Sequence, residues 1–305
     1  MTTYNFKRHT TLYLVYGGLQ YKLSVYPDIS FSQTFEEQAV PVKTLHDQSL
    51  NFDSATITKA NPANFSFAIP LIDEEDLQIV FDLLIGYDSS YNVLPFDLYA
   101  KTDYDVYKLQ TCVIDTGTFY IQREGILALG ISGSASKLTR YGPASAFGDS
   151  TIGTAQTRSA TTTYIPNLAM KVTVNGAEFD RVTGVQLVLK NNVTWTANET
   201  IHDSLAVTSA SNTIYPTSFT LEGRTLSGSI DQYVTDESYT NLQTWNSTGV
   251  PITIQVGKRY PYTLDVSIPL AVFTNRLTTS DLYTQTFDFR MLSNPTALSS
   301  VLVYN

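Results

Sequence analysis

Few residues of this chain have the type and spacing to do chemistry. Two His-Asp pairs stand out, His46-Asp47 and His202-Asp203, each following a Thr-Leu or Thr-Ile step. A histidine beside a carboxylate suggests general-base chemistry, but neighbours in extended chain point to opposite sides, and no nucleophile lies nearby. The pairs therefore read as loop anchors. The third histidine is His9 and the single cysteine is Cys112, with no His-x-x-x-His or Cys-x-x-Cys spacing, which argues against a zinc site. Gly130-Ile131-Ser132-Gly133-Ser134 resembles a phosphate cradle but lacks the lysine and the following helix. It reads as a strand where another chain segment comes close. Asp103-Tyr104-Asp105 lacks the further acidic ligands and the glycine of a calcium loop, so a solvated turn is expected. Asp73 to Asp76 suit the positive end of a helix. No catalytic residue, metal site or cofactor site is expected.

The elements that hold these residues are mostly strands. Leu12–Tyr16 and Gln20–Tyr26 flank Gly17-Gly18, a hairpin signal. Apolar alternation continues at Ile29-Phe31, Phe65-Phe67-Ile69, Leu94-Phe96-Leu98, Leu127-Leu129-Ile131, Val266-Ile268 and Phe287-Phe289-Met291. Two helices are expected. In one, Asp73 caps, Leu77, Val80, Phe81 and Leu84 form the apolar face, and Gly86 stops the helix. In the other, Thr235 caps, and Tyr239, Leu242 and Trp245 face inward.

The strongest feature is an internal repeat. Gly18–Phe35 aligns with Gly176–Val193, so that Tyr21 meets Phe179, Ile29 meets Leu187 and Phe31 meets Leu189. Thr44-Leu45-His46-Asp47 then recurs as Thr200-Ile201-His202-Asp203, Phe65-Ser66 as Leu226-Ser227, and Leu94-Pro95-Phe96 as Val250-Pro251-Ile252. A period of roughly 156 residues is far longer than a solenoid or propeller unit and marks a duplicated domain. The stretch between the copies is almost wholly Gly, Ala, Ser, Thr and Pro, with Asp149 and Arg158 its only charges from Gly142 to Thr163. The division predicted is residues 1–140, a linker at 141–167, and residues 168–305.

Composition agrees with such an assembly. The chain has 305 residues, a net charge of -9 and only 15% charged residues, against about 25% in an ordinary soluble domain. Branched and aromatic residues take their place and favour pleated, half-buried surfaces. Charge depletion also suggests surface hidden against partners. No apolar run approaches the ~20 residues that span a bilayer, and the stretch Leu12–Tyr16 is too short for a secretory core. An acidic chain does not attract nucleic acid by neutralising phosphates.

Asp28-Ile29-Ser30-Phe31-Ser32-Gln33, the polar loop to His46, Ser66-Phe67-Ala68-Ile69-Pro70 and the helix after it resemble a phage tail tube domain. Asn191-Asn192-Val193-Thr194-Trp195 and Leu226-Ser227-Gly228-Ser229-Ile230 repeat the resemblance in the second copy. The whole chain is similar to the major tail tube protein of long, non-contractile phage tails, in the type where two tube domains are fused. The resemblance implies a mainly β fold of two tandem tail-tube domains, each a β-sandwich or barrel with one flanking α-helix. It implies a structural virion protein, assembled in the host cytoplasm, with no enzymatic activity and no membrane partner. Trimeric, pseudo-hexameric rings would stack around a tape-measure protein, meet terminator and tail-tip or baseplate proteins at the ends, and conduct viral DNA without binding it. Carboxylates are then expected along the lumen, with Asp28, Asp53, Asp180 and Asp231 as candidates. Phe35, Glu36, Glu37, His46, Trp195, Glu199 and His202, on the loops Gln33–Asp47 and Val193–Asp203, are candidates for contacts between subunits and rings. A receptor- or carbohydrate-binding β-module of a tail tip is the alternative. A related secretion-system tube fits less well, since its subunits carry one domain.

Overall fold

The computed structural model describes residues 5–40, 54–71, 77–122, 126–147, 152–156, 169–196, 214–235, 249–257, 264–279, 281–292 and 298–304. The first half contributes β1 (Thr11–Tyr16), β2 (Leu19–Leu23), β3 (Ser30–Ser32), β4 (Phe35–Val40), β5 (Ser54–Ala60) and β6 (Ala63–Pro70). Helix α1 (Gln78–Ile85), β7 (Phe96–Lys101), β8 (Asp105–Gln122), β9 (Ala128–Pro143) and β10 (Thr154–Ala155) follow. The second half contributes β11 (Ala169–Val174), β12 (Ala177–Glu178), β13 (Val182–Thr196), β14 (Ser218–Tyr233), β15 (Val250–Val256), β16 (Leu264–Thr279), β17 (Tyr283–Met291) and β18 (Leu302–Tyr304). The protein is thus mainly β, as expected. The second expected helix, with Tyr239, Leu242 and Trp245, lies outside the described residues.

Sixteen of these strands form one hydrogen-bonded sheet system, and β4 and β5 form a separate ribbon. In the first half the pairing runs β2-β1-β7-β8-β9-β6-β3, all antiparallel. In the second it runs β12-β11-β15-β16-β17-β14-β13, again antiparallel. The halves join where β8 pairs with β13, from Gln122↔Gly184 to Thr116↔Lys190. Register agrees between the two runs at the positions that fill the core. Phe96 opposes Cys112 as Ile252 opposes Ile268, and Phe31 opposes Phe65 as Leu189 opposes Leu226.

Local chemistry explains the ends of the elements. Gly17 and Gly18 have φ of 58° and 79°, and Asn175 and Gly176 have 52° and 78°. Two positive-φ residues in a row make the tight turn whose twist matches antiparallel strands. Helix α1 starts after Leu77, which has helical angles and makes no side-chain cap; Asp73 to Asp76 lie outside the described residues. Gly86 ends the helix in extended conformation, its N–H bonded to Asp82 O. A glycine is needed there for space, since a Cβ would stand 2.4 Å from Asp82 O and 2.8 Å from Leu94 Cδ1. The helix lies on β8, where a Cβ on Gly117 would meet Leu84 Cδ2 at 2.6 Å.

One large apolar core runs from Leu12 to Leu302 through both halves, and a smaller cluster gathers Tyr99, Val106 and Phe147. Phe81 of α1 lies against Phe119 and stacks on Tyr304 at 4.6 Å between ring centres, so the helix of the first half is clamped by the end of the second. Burial of rings this size contributes several kcal/mol each, of the order of 3–5 on truncation to Ala.

Candidate assembly surface

Eight strands, in the order β3-β6-β9-β8-β13-β14-β17-β16, form the middle of the sheet. Their alternate residues Phe65, Ile131, Phe119, Leu187 and Ile230 enter the core. The residues between them form the opposite face. Side by side across that face stand Ser30, Ser66, Ser132, Thr116, Lys190 and Thr225. A second row reads Tyr120, Gln186, Ser229, Asp288 and Thr274, and a third reads Gln122, Gly184, Asp231, Thr286 and Arg276. Small hydroxylic side chains therefore pave the surface. Its acids Asp28, Asp115, Asp231 and Asp288 are set against the bases Lys190, Arg276 and Arg290.

Asp115 sits at an irregularity of β8 between Ile114 and Thr116 and faces a shallow pocket of about 280 Å³ with Ser30, Ser32, Asn64, Ser66 and Ser132. Burial pushes its carboxyl up to about 6, and the Ser134 hydroxyl and Lys190 partly oppose the rise. The Ser134 Oγ donates to Asp115 Oδ1 at 3.2 Å and accepts from Trp195 Nε1 at 2.8 Å. Trp195 also packs on Phe219, with ring centres 5.3 Å apart. In the described chain this candidate contact residue ties the second half to the first.

Other residues of the long β13–β14 arm do the same. Asn191 Nδ2 donates to Leu84 O and Ile114 O at 3.2 and 2.8 Å. Arg224 donates to Ile85 O at 2.5 Å and Gly86 O at 2.6 Å, and its guanidinium lies 4.3 Å from the centre of the Tyr87 ring. These carbonyls end α1 and have no further helical turn to accept from, so a cation is the favoured partner. Sequence patterning gave no signal for Arg224, because its partners are backbone atoms far away along the chain.

The remaining predicted residues are placed as follows. Asp28 is exposed and pairs with Lys7 at 2.8 Å, a contact that lowers its carboxyl below the usual range. Asp231 accepts from Thr286 Oγ1 at 2.6 Å. Asp180 is exposed in the connection before β13, and its carbonyl accepts from Gln232 Nε2 at 2.7 Å. Phe35, Glu36 and Glu37 are exposed on β4, with the Phe35 ring edge-on to Tyr215. Two loop expectations change. Phe35–Val40 is a strand paired with β5, and Val193–Thr196 is the end of β13 paired with β14. At the β13 end, the branched and aromatic residues Val193, Thr194, Trp195 and Thr196 favour continued strand. Asp53, His46, Glu199 and His202 lie outside the described residues. Asp103 and Asp105 flank a turn whose carboxylates are taken by His9, Asn5 and Arg140. Among the described residues no cluster of three or more His, Cys, Asp or Glu could hold a metal ion.

The model of the bacteriophage baseplate tube protein family matches residues 2–301. The chain belongs to that family. Comparison with curated proteins gives no match. Membership makes the chain a structural tube protein of a phage and a component of the virion. The family description names a baseplate tube, whereas the motif resemblance named the tube of long non-contractile tails; a phage tube protein is common to both. For a baseplate tube protein, the hydroxylic sheet face and the strands that bound it are the parts to explain.

Proposed function

We propose that the protein is a ring-forming tube subunit of the type with two tube domains fused, and that the hydroxylic face of the eight-stranded sheet lines a channel for DNA. The single observation that carries this reading is that one face of an unusually wide sheet is apolar and covered, while the other is paved with Ser and Thr at near charge balance. Such a face has water-compatible groups that do not bind phosphate tightly, because net binding grows with uncompensated Lys and Arg. Lys190, Arg276 and Arg290 each have an acid within the same face, so DNA would slide and not stick. This replaces an unbroken acidic wall with a nearly neutral one. Three copies would close a ring, rings would stack around a tape-measure protein, and terminator and tail-tip or baseplate proteins would cap the ends. Assembly would take place in the host cytoplasm, and the role is conduction without catalysis.

The test is electron microscopy with light scattering of the purified protein. Hollow rings of threefold stoichiometry, or stacks of them, are expected. A stable monomer at high concentration that binds glycan would refute the reading and favour a receptor-binding module.

A further inference from the structure

We propose that the pocket beside the irregularity of β8 is a cation site, where Asp115 and the hydroxyls around it hold a hydrated divalent ion of the Mg2+ kind. The carboxylate is there because β8 carries one extra residue. Ile114 opposes Gly133 and Thr116 opposes Ser132, so Asp115 has no partner of its own on β9. A bulge of this kind re-aims a side chain out of the regular ladder. Here it brings Asp115 into the pocket with Ser30, Ser32, Asn64, Ser66 and Ser132. Asp115 Oδ1 accepts from Ser134 Oγ at 3.2 Å, and Ser134 is its only hydrogen-bond donor among the described residues. Among those residues, too, no Lys, Arg or His stands within ion-pair distance of the carboxylate.

The second run of strands holds the same place differently. There β16 stands where β8 stands in the first run, and it passes from Ala271↔Met291 to Val272↔Arg290 with no extra residue. Ser66↔Ser132 of the first run becomes Ser227↔Arg290, and Ser32↔Asn64 becomes Lys190↔Thr225. The second run thus has two cationic side chains and lacks the bulged carboxylate. The first has the carboxylate, with serines at the positions of Lys190 and Arg290. Small hydroxyls leave open the room that two long cationic side chains would fill, and the positive charge is left to come from solution.

Size and donor set select the ion. The pocket measures about 280 Å³. Six waters at ~30 Å³ each occupy ~180 Å³, so an ion with a complete first shell fits. The lining offers hard oxygen acceptors, one carboxylate with serine hydroxyls and an Asn amide, and neither thiolate nor imidazole. One carboxylate does not build the cage of ~6–8 oxygens that Ca2+ takes. Mg2+ gives up its waters reluctantly and is held through them by one or two carboxylates. Its waters donate to the free oxygen of Asp115 and to the hydroxyls, which explains why no cluster of acids is needed. With a single formal charge the affinity falls at the weak end of the range, with a dissociation constant of ~1 mM. The like charge that faces the site is Lys190, exposed on β13 where it pairs with Thr116.

The test titrates the full chain, stripped of metal with EDTA, with MgCl2 at pH 7.5 and constant ionic strength, and follows urea unfolding by circular dichroism. For the wild type, 20 mM Mg2+ is expected to raise the folding equilibrium constant about twentyfold. D115N keeps the shape of the pocket but loses its charge, and is expected to show at most about a twofold rise. S66A/S132A keeps the carboxylate and removes two acceptors, and falls between the two. K190M removes the like charge and is expected to bind a few-fold more tightly than the wild type. Mn2+ gives a readout separate from stability: counted by electron paramagnetic resonance, the wild type binds one more ion per chain than D115N. An equal response of wild type and D115N to both metals would place the effect elsewhere and overturn the proposal. A response by K190M but none by the wild type would overturn it as well, since Lys190 then already serves the carboxylate. None of these readouts depends on ring formation, so rings that form without a Mg2+ response remove the site and leave the tube reading standing.

Discussion

The half-buried carboxylate of Asp115 offers a direct test of the hydroxylic face. Its carboxyl is raised by burial from 3.8 to about 6. Below about pH 4 the group is protonated in folded and unfolded chains alike, and burial costs little. Between about 4 and 6 the folded state keeps its proton while the unfolded state has lost it, so the destabilisation grows as pH rises. Above 6 both states are charged and the cost is constant. A difference of about two pH units corresponds to about 3 kcal/mol. Replacing Asp115 with Asn removes the charge but keeps an oxygen that can accept from Ser134. D115N should therefore be more stable than wild type by about 2–3 kcal/mol at pH 7.5, with the difference shrinking towards zero near pH 4. Urea unfolding of both proteins at half-unit steps from pH 4 to 8 measures this. A difference that does not change with pH, or a variant less stable than wild type at pH 7.5, would refute the argument that burial dominates at this site.

Two further substitutions test the packing that carries the face. Arg224→Met removes two charge-assisted bonds to the end of α1 and should cost about 3 kcal/mol in urea unfolding, with faster amide exchange at Leu221, whose N–H is held by Asn92 Oδ1 at 3.0 Å; unchanged stability would show that the arm is not held there. Gly133→Ala would place a Cβ 2.2 Å from Val113 O and 2.4 Å from Phe65 Cζ, so a loss of about 2–4 kcal/mol is expected by thermal or chemical unfolding, and a neutral result would mean that the strands are not packed at this spacing.

The sequence by itself determined the mainly β class, the core strands and the apolar face of the helix Gln78–Ile85. These are readable because the period of two and the period of 3.6 are written in consecutive residues, as at Phe65-Phe67-Ile69 and Val80-Phe81-Leu84. It also showed Gly130–Ser134 as a strand of close approach, since glycine without a following helix leaves little else. Only the tertiary structure decided what the arms touch. Trp195 reaches Ser134, Arg224 reaches Ile85 and Gly86, and Asn191 reaches Ile114, each across scores of residues. Such contacts leave no local pattern, because a backbone carbonyl is present at every position and does not mark itself in the sequence. The loops expected after Gln33 and Val193 became strands for the same reason: whether a polar, branched stretch extends a hairpin depends on the partner strand folded beside it. Acidity read as a property of the whole chain was likewise redistributed by the fold, which places Lys190, Arg276 and Arg290 on the same sheet face as Asp231 and Asp288.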